Sequence, residues 1–106
     1  MNTISLSLDE IYQLANKTLL ANGCDEENAN ILSDTIMRAE RDGSLSHGLF
    51  RLPAYVASLK SKKVNGKARP VIKKISSSVI KVLGNHALAP MVLKVGLPEL
   101  IKLAKE

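Results

Sequence analysis

His47 and Arg51, four residues apart, are the side chains of this sequence best equipped to act on a small charged molecule. An imidazole moves protons near neutral pH, and a guanidinium holds a carboxylate through two parallel hydrogen bonds. A carbonyl or imine reduced by hydride needs a proton at the resulting oxygen or nitrogen, and His47 is the residue type to deliver it. Ser46 precedes the histidine, and Gly48 follows it, where the missing side chain lets backbone approach a ligand closely. Tyr55 lies one helical turn beyond Arg51 and either extends the same face or packs on neighbouring helices. Spacing alone favours the plainer reading of each: a loop histidine and a surface arginine.

Other positions carry less chemistry. His86, in Gly84-Asn85-His86-Ala87, reads as part of a turn. Two histidines, with no carboxylate between Asp42 and Glu99, argue against a metal site. There is no Gly-x-Gly-x-x-Gly and no phosphate-binding loop, so a Rossmann-type cofactor site is not indicated. Cys24 is the single cysteine, which rules out an internal disulfide; beside Gly23 it reads as a small space-filler.

The elements that must position residues 46–55 follow from periodicity and caps. Ser7 followed by Asp9 and Glu10 marks a helix start, and Leu8, Ile11, Ala15 and Leu19 carry one apolar face over residues 8–22, up to Gly23. Asp25 caps a second helix with Glu26 and Glu27 in its first turn. Ala29, Leu32, Ile36 and Ala39 form its buried stripe, and Gly43 stops it. The two should fold as an antiparallel hairpin. Residues 44–52 are a loop, and Pro53 opens a short third helix to about residue 61. Residues 62–70, with Asn65-Gly66 and Pro70, read as a loop or turn. Residues 71–75 and 79–83 suit two strands, as a hairpin. Residues 90–106 are helical in pattern, with Leu93, Leu97, Leu100, Ile101 and Ala104 on one side and a kink or restart expected at Gly96-Pro98. The expected fold is α/β (α+β in isolation), one domain over residues 1–106.

Composition narrows the class. With 106 residues there is room for one domain, and with three aromatic residues its core must rest on Leu, Ile, Val and Ala. The longest apolar-rich stretch, residues 87–95, is interrupted by Pro90 and Lys94 and falls well short of the roughly 20 residues of a membrane span. The first eight residues lack a positive, then apolar, leader pattern, and the lone cysteine suits a reducing compartment, so a cytoplasmic setting is expected. The net charge of +5 is uneven: ten lysines and arginines, and no acid, lie between Gly43 and Pro98. That leaves open a small basic module binding nucleic acid or an acidic protein. Residues 60–74 contain no aromatic stacking platform, however, so nucleic acid is weakly supported and a solvated basic loop is the better default.

Residues 38–56 read Arg-Ala-Glu-Arg-Asp-Gly-Ser-Leu-Ser-His-Gly-Leu-Phe-Arg-Leu-Pro-Ala-Tyr-Val. This run resembles the signature of the malate/L-lactate dehydrogenase family of the non-Rossmann type. It is most like the branch of Δ1-piperideine-2-carboxylate/Δ1-pyrroline-2-carboxylate reductases, and residues 89–100 are similar to that branch as well. The resemblance implies NAD(P)H-dependent reduction of a 2-oxo acid or a cyclic 2-imino acid. It implies His47 as proton donor, Ser46 and His47 at the nicotinamide end, and Arg51, with Tyr55, on the substrate carboxylate. It also implies a homodimer. Family members are much longer, so this chain is expected to be an N-terminal portion of the larger fold. Most of the cofactor pocket, and an aspartate orienting the histidine, would lie elsewhere. The chain alone is then expected not to turn over, and its expected partner is a second copy or a complementing C-terminal chain. One departure is Leu83-Gly84 after the second strand, where many members have Asp-Gly.

Overall fold

The computed structural model describes residues 6–105, so the expectations for residues 1–5 and for residue 106 lie outside the described residues. Helix α1 (Leu8–Ala21) starts at a full capping box. The Ser7 hydroxyl accepts from the Glu10 amide at 3.1 Å, and the Glu10 carboxylate accepts from the Ser7 amide at 3.0 Å. The hydrogen bond from the Ser7 backbone, and then that from its side chain, hold the Glu10 carboxyl below its ordinary range. Helix α2 (Glu26–Arg41) is capped by Asp25, whose carboxylate accepts from the Asn28 amide at 3.0 Å. Each helix is followed by a glycine in the left-handed region, Gly23 and Gly43.

The short link folds α2 back on α1. Ile11, Ala15 and Leu19 then meet Ala29, Leu32 and Ile36, and the two alanines let the helices approach closely. Leu52 and Leu59 of α3 (Leu52–Lys60) and Leu88 close this core. Ala39, expected in the stripe, is half-buried. Ser33 sits fully buried in the same layer, and its hydroxyl has no hydrogen-bond partner among the described residues. Ser33→Ala removes that unsatisfied group and improves helix propensity, so it should stabilise the chain by about 0.5–1 kcal/mol in urea unfolding. A loss of stability would show that the hydroxyl is satisfied after all.

The expected hairpin is present. Strand β1 (Val71–Lys74) pairs antiparallel with β2 (Ile80–Leu83), Val71 opposite Leu83 and Lys74 opposite Ile80. Asn85 and His86 both have positive φ, and the Ala87 amide donates to the Gly84 carbonyl at 2.9 Å, a type I′ geometry that leads into the last helix.

Helix α4 (Ala89–Lys105) is continuous and only partly covered by the rest of the chain. It runs through Pro98 without a restart. Proline forfeits only the bond to the Lys94 carbonyl, and Gly96 seats the helix on β2, where a Cβ would come within 2.7 Å of Val82 Cγ2. Its apolar side is also not buried within this chain: Leu93 is 62% exposed, and Leu97, Leu100 and Ile101 are exposed too, while Met91 and Gly96 are the buried positions. No helix among the described residues is long and apolar enough to cross a membrane.

Residues 62–70 are tied to the start of α2. The Arg69 guanidinium lies 2.9 Å from the Asp25 carboxylate and 3.0 Å from that of Glu27, and the Asn28 side chain donates to the Ala68 carbonyl. Partial burial pushes the Asp25 carboxyl up. The hydrogen bonds from the Asn28 backbone and side chain and from Arg69, with the arginine's charge, outweigh that and hold it below the usual carboxylate range. A depressed folded pKa contributes stability that is full above the unfolded value of about 3.9 and is lost as pH falls through the folded one. Asp25→Asn should therefore remove one proton's uptake from acid unfolding below about pH 4, measured as the pH slope of urea stability. An unchanged slope would show that Asp25 is not linked to folding.

Candidate functional site

Beyond α2, Gly43 turns the chain into two successive 3-10 turns, Leu45–His47 and Leu49–Arg51, which run directly into α3. The expected loop is therefore ordered by its own backbone: the His47 amide donates to the Ser44 carbonyl at 2.9 Å, and the Arg51 amide to the Gly48 carbonyl at 3.0 Å. A short helical path of this kind carries His47 and Arg51 to one exposed surface.

Ser46 joins the two. Its hydroxyl lies 2.9 Å from His47 Nδ1, and its carbonyl accepts from Arg51 Nε at 2.9 Å. The first contact leaves Nε2 as the imidazole nitrogen available to a ligand. The second anchors the guanidinium by its inner nitrogen and leaves both terminal nitrogens to fork onto an anion. Among the described residues Ser46 is the sole side-chain hydrogen-bond partner of His47. The acids close by in sequence are engaged elsewhere: Asp42 pairs with Arg41 at 2.9 Å, and the Glu40 carboxylate accepts from the Leu49 amide at 2.8 Å. Arg41's hydrogen bond, and then its charge, draw the Asp42 carboxyl below its ordinary range.

Tyr55 is placed differently from its two neighbours. Its side chain is half-buried and packs on the helical core. Leu45 and Phe50, which residue type alone does not single out, line a hollow of about 470 Å³ with Ser46 and Glu40. Phe50 is 79% exposed and Leu45 62%, a large apolar surface beside the polar side chain of Ser46. A signal was available: Phe50 is the only phenylalanine and lies three residues from His47. A larger groove, about 560 Å³, runs between α1, α2 and α4 past Tyr12, Ile31 and Leu93, and contains none of the candidate residues.

Cys24 is buried, and burial, with the neighbouring Asp25 charge, pushes its thiol up to about 11. At pH 8 the folded chain should react with a disulfide reagent at least about 100-fold more slowly than the urea-unfolded chain. Equal rates would mean the thiol is reachable. Arg69, bound by two carboxylates, is not part of a free basic patch.

Comparison with known proteins places these features in context. Residues 6–106 match the malate/L-lactate dehydrogenase family. The chain is 42% identical over 103 residues to a Δ1-pyrroline-2-carboxylate reductase of Ancylobacter novellus, covering 97% of this chain and 30% of that protein. It is 39% identical over 101 residues to an NADP+-dependent (2R)-3-sulfolactate dehydrogenase of Chromohalobacter salexigens, covering 95% and 30%. The crystal structure of Δ1-piperideine-2-carboxylate reductase from Pseudomonas syringae superposes with a TM-score of 0.90 at 33% identity, over 97% of this chain and 31% of that one. The chain thus spans about 30% of the length of the relatives it matches.

Proposed function

Because the chain belongs to the malate/L-lactate dehydrogenase family, we propose that residues 46–51 are the proton-donating and carboxylate-holding part of a reductase site. The substrate is a cyclic 2-imino acid or a 2-oxo acid, and the cofactor NADPH or NADH. The observation that carries this reading is the double engagement of Ser46, whose two oxygens hold the His47 imidazole and the Arg51 guanidinium beside one another.

A substrate of this class has a carboxylate on the carbon to be reduced. Arg51 holds that carboxylate with its two free terminal nitrogens and so fixes where the C=N or C=O bond lies. A bound nicotinamide supplies the hydride. As the π pair moves onto nitrogen or oxygen, His47 gives that atom a proton, is left neutral, and takes its next proton from water. The exposed faces of Leu45 and Phe50, beside Ser46, fit the flat apolar ring of such a cofactor at one end of the site. Tyr55 acts behind Arg51, steadying α3 against the core.

His47 and Arg51 are exposed, and a step of this kind needs water kept out. A second copy or a complementing chain that covers this face would do so. The reading includes a cytoplasmic setting, in keeping with one buried thiol.

Oxidation of NADPH and of NADH with Δ1-pyrroline-2-carboxylate and Δ1-piperideine-2-carboxylate tests the proposal in two preparations. One is the chain by itself. The other is the chain grafted in place of the matching 31% of the Pseudomonas syringae reductase. Turnover is expected from the graft and not from the chain alone. A folded graft with no turnover on imino or oxo acids would sink the reading.

A further inference from the structure

The side chain of Glu40, at the end of α2, reaches across to the second 3-10 turn, and its Oε1 accepts from the Leu49 amide at 2.8 Å. It does so by lying over Gly48. A Cβ built on Gly48 would collide with that same Oε1 and would come within 2.6 Å of Glu40 Cδ and 2.8 Å of Cγ. Gly48 is buried although its neighbours Ser46, His47 and Phe50 are exposed, so what covers it is this carboxylate. Glycine at 48 and glutamate at 40 are two halves of one fitting. Glu40 also lines the hollow that Ser46 and Phe50 border.

We propose that Glu40 is a positioning residue: clasped over Gly48 onto the Leu49 amide, it fixes where the His47 turn ends and the Arg51 turn begins. This deepens the reading of residues 46–51 as a proton-donating, carboxylate-holding site and rests on it. The clasp acts at the junction between the two turns, so it bears on both. The Gly48 peptide carries the chain from His47 on one side to Leu49 on the other, and the Gly48 carbonyl is what receives the Arg51 amide. A charged acceptor on a backbone N–H is among the stronger hydrogen bonds available, and here it bridges two elements nine residues apart in sequence. Without it, the Ser46 carbonyl that anchors Arg51, and the hydroxyl that meets His47, lose their common frame.

Three single variants and one double variant of this chain test this by NMR. Glu40→Ala should speed exchange of the Leu49 amide about 10–100-fold and move the His47 ring resonances, with Leu19 and Leu32 amides keeping their protection. Glu40→Gln keeps an acceptor oxygen at the same reach and should restore most of both. Gly48→Ala should reproduce Glu40→Ala and add little to it in the double variant, because each breaks the same contact. Pyrrole-2-carboxylate, a flat carboxylate that cannot be reduced, should perturb His47 and Arg51 in the wild type and do so severalfold more weakly with Glu40→Ala. If Glu40→Ala leaves the Leu49 exchange and the His47 resonances at wild-type values, or Glu40→Gln behaves as alanine does, the clasp is refuted. Those readouts need no ligand, so failure of the wild type to bind pyrrole-2-carboxylate would count against the functional reading alone.

Discussion

Alanine at His47 should lower kcat in the reductase graft by about 10²–10⁴-fold, the usual worth of a positioned proton donor, and leave KM for the imino acid within a few-fold. In the proposed reading the histidine gives its proton only as the C=N bond is reduced, so its loss would fall on the transition state, while Arg51 would still hold the carboxylate. Added imidazole should restore part of the rate, since the missing group is a small soluble base and its acid. Arg51→Ala should give the opposite split, raising KM most and kcat less. Arg51→Lys should rescue little, because an ammonium keeps the charge and loses both the fork and the inner nitrogen's bond to the Ser46 carbonyl. A graft that keeps its rate with His47→Ala would remove the histidine from the chemistry. Equal KM for wild type and Arg51→Ala would remove the arginine from carboxylate binding.

What was legible in the sequence was whatever is decided within a turn or two of chain. Ser7 and Asp25 act as caps because an N-cap needs only its own oxygen and an amide three residues on. The turn at Asn85-His86 is legible from Gly84-Asn85, between the end of the second strand and the start of the last helix. His47 and Arg51 could be picked out by residue type. Their relationship could not, because it passes through the Ser46 carbonyl and depends on the path of two consecutive 3-10 turns where a plain loop was expected. Glu40 was invisible for the same reason: its partner is a backbone amide nine residues away, across a glycine whose role is steric. The stripe on α4 shows the converse limit. Periodicity locates an apolar face correctly and says nothing about whether the same chain covers it, and here Leu93, Leu97, Leu100 and Ile101 stay exposed.

Gly66→Ala should be among the most destabilising single methyl additions in this chain, at about 3 kcal/mol in urea unfolding, or a fall in Tm of roughly 10–20 °C. Asn65-Gly66 reads locally as an ordinary turn, and Gly66 does sit in one, with the Ala68 amide donating to the Asn65 carbonyl. The requirement for glycine comes from elsewhere. A Cβ at 66 would come within 2.6 Å of the Gly23 carbonyl oxygen, 2.8 Å of Cys24 Cα and 2.9 Å of Leu59 Cδ2. Two of those three atoms are backbone in the tight link between α1 and α2, and they cannot swing aside as a side chain can. Yielding would draw the Gly66 carbonyl away from the Asp25 amide it accepts at 3.0 Å and loosen the Arg69 contact with the same aspartate. Gly43→Ala gives the contrasting case. Gly43 has a positive φ but open space around it, so alanine there should cost only the left-handed penalty of about 1 kcal/mol. Ranking the two separates a glycine kept for its conformation from one kept for its missing volume. If Gly43→Ala proved the costlier, the packing of residues 62–70 on the helical hairpin would be looser than these distances require.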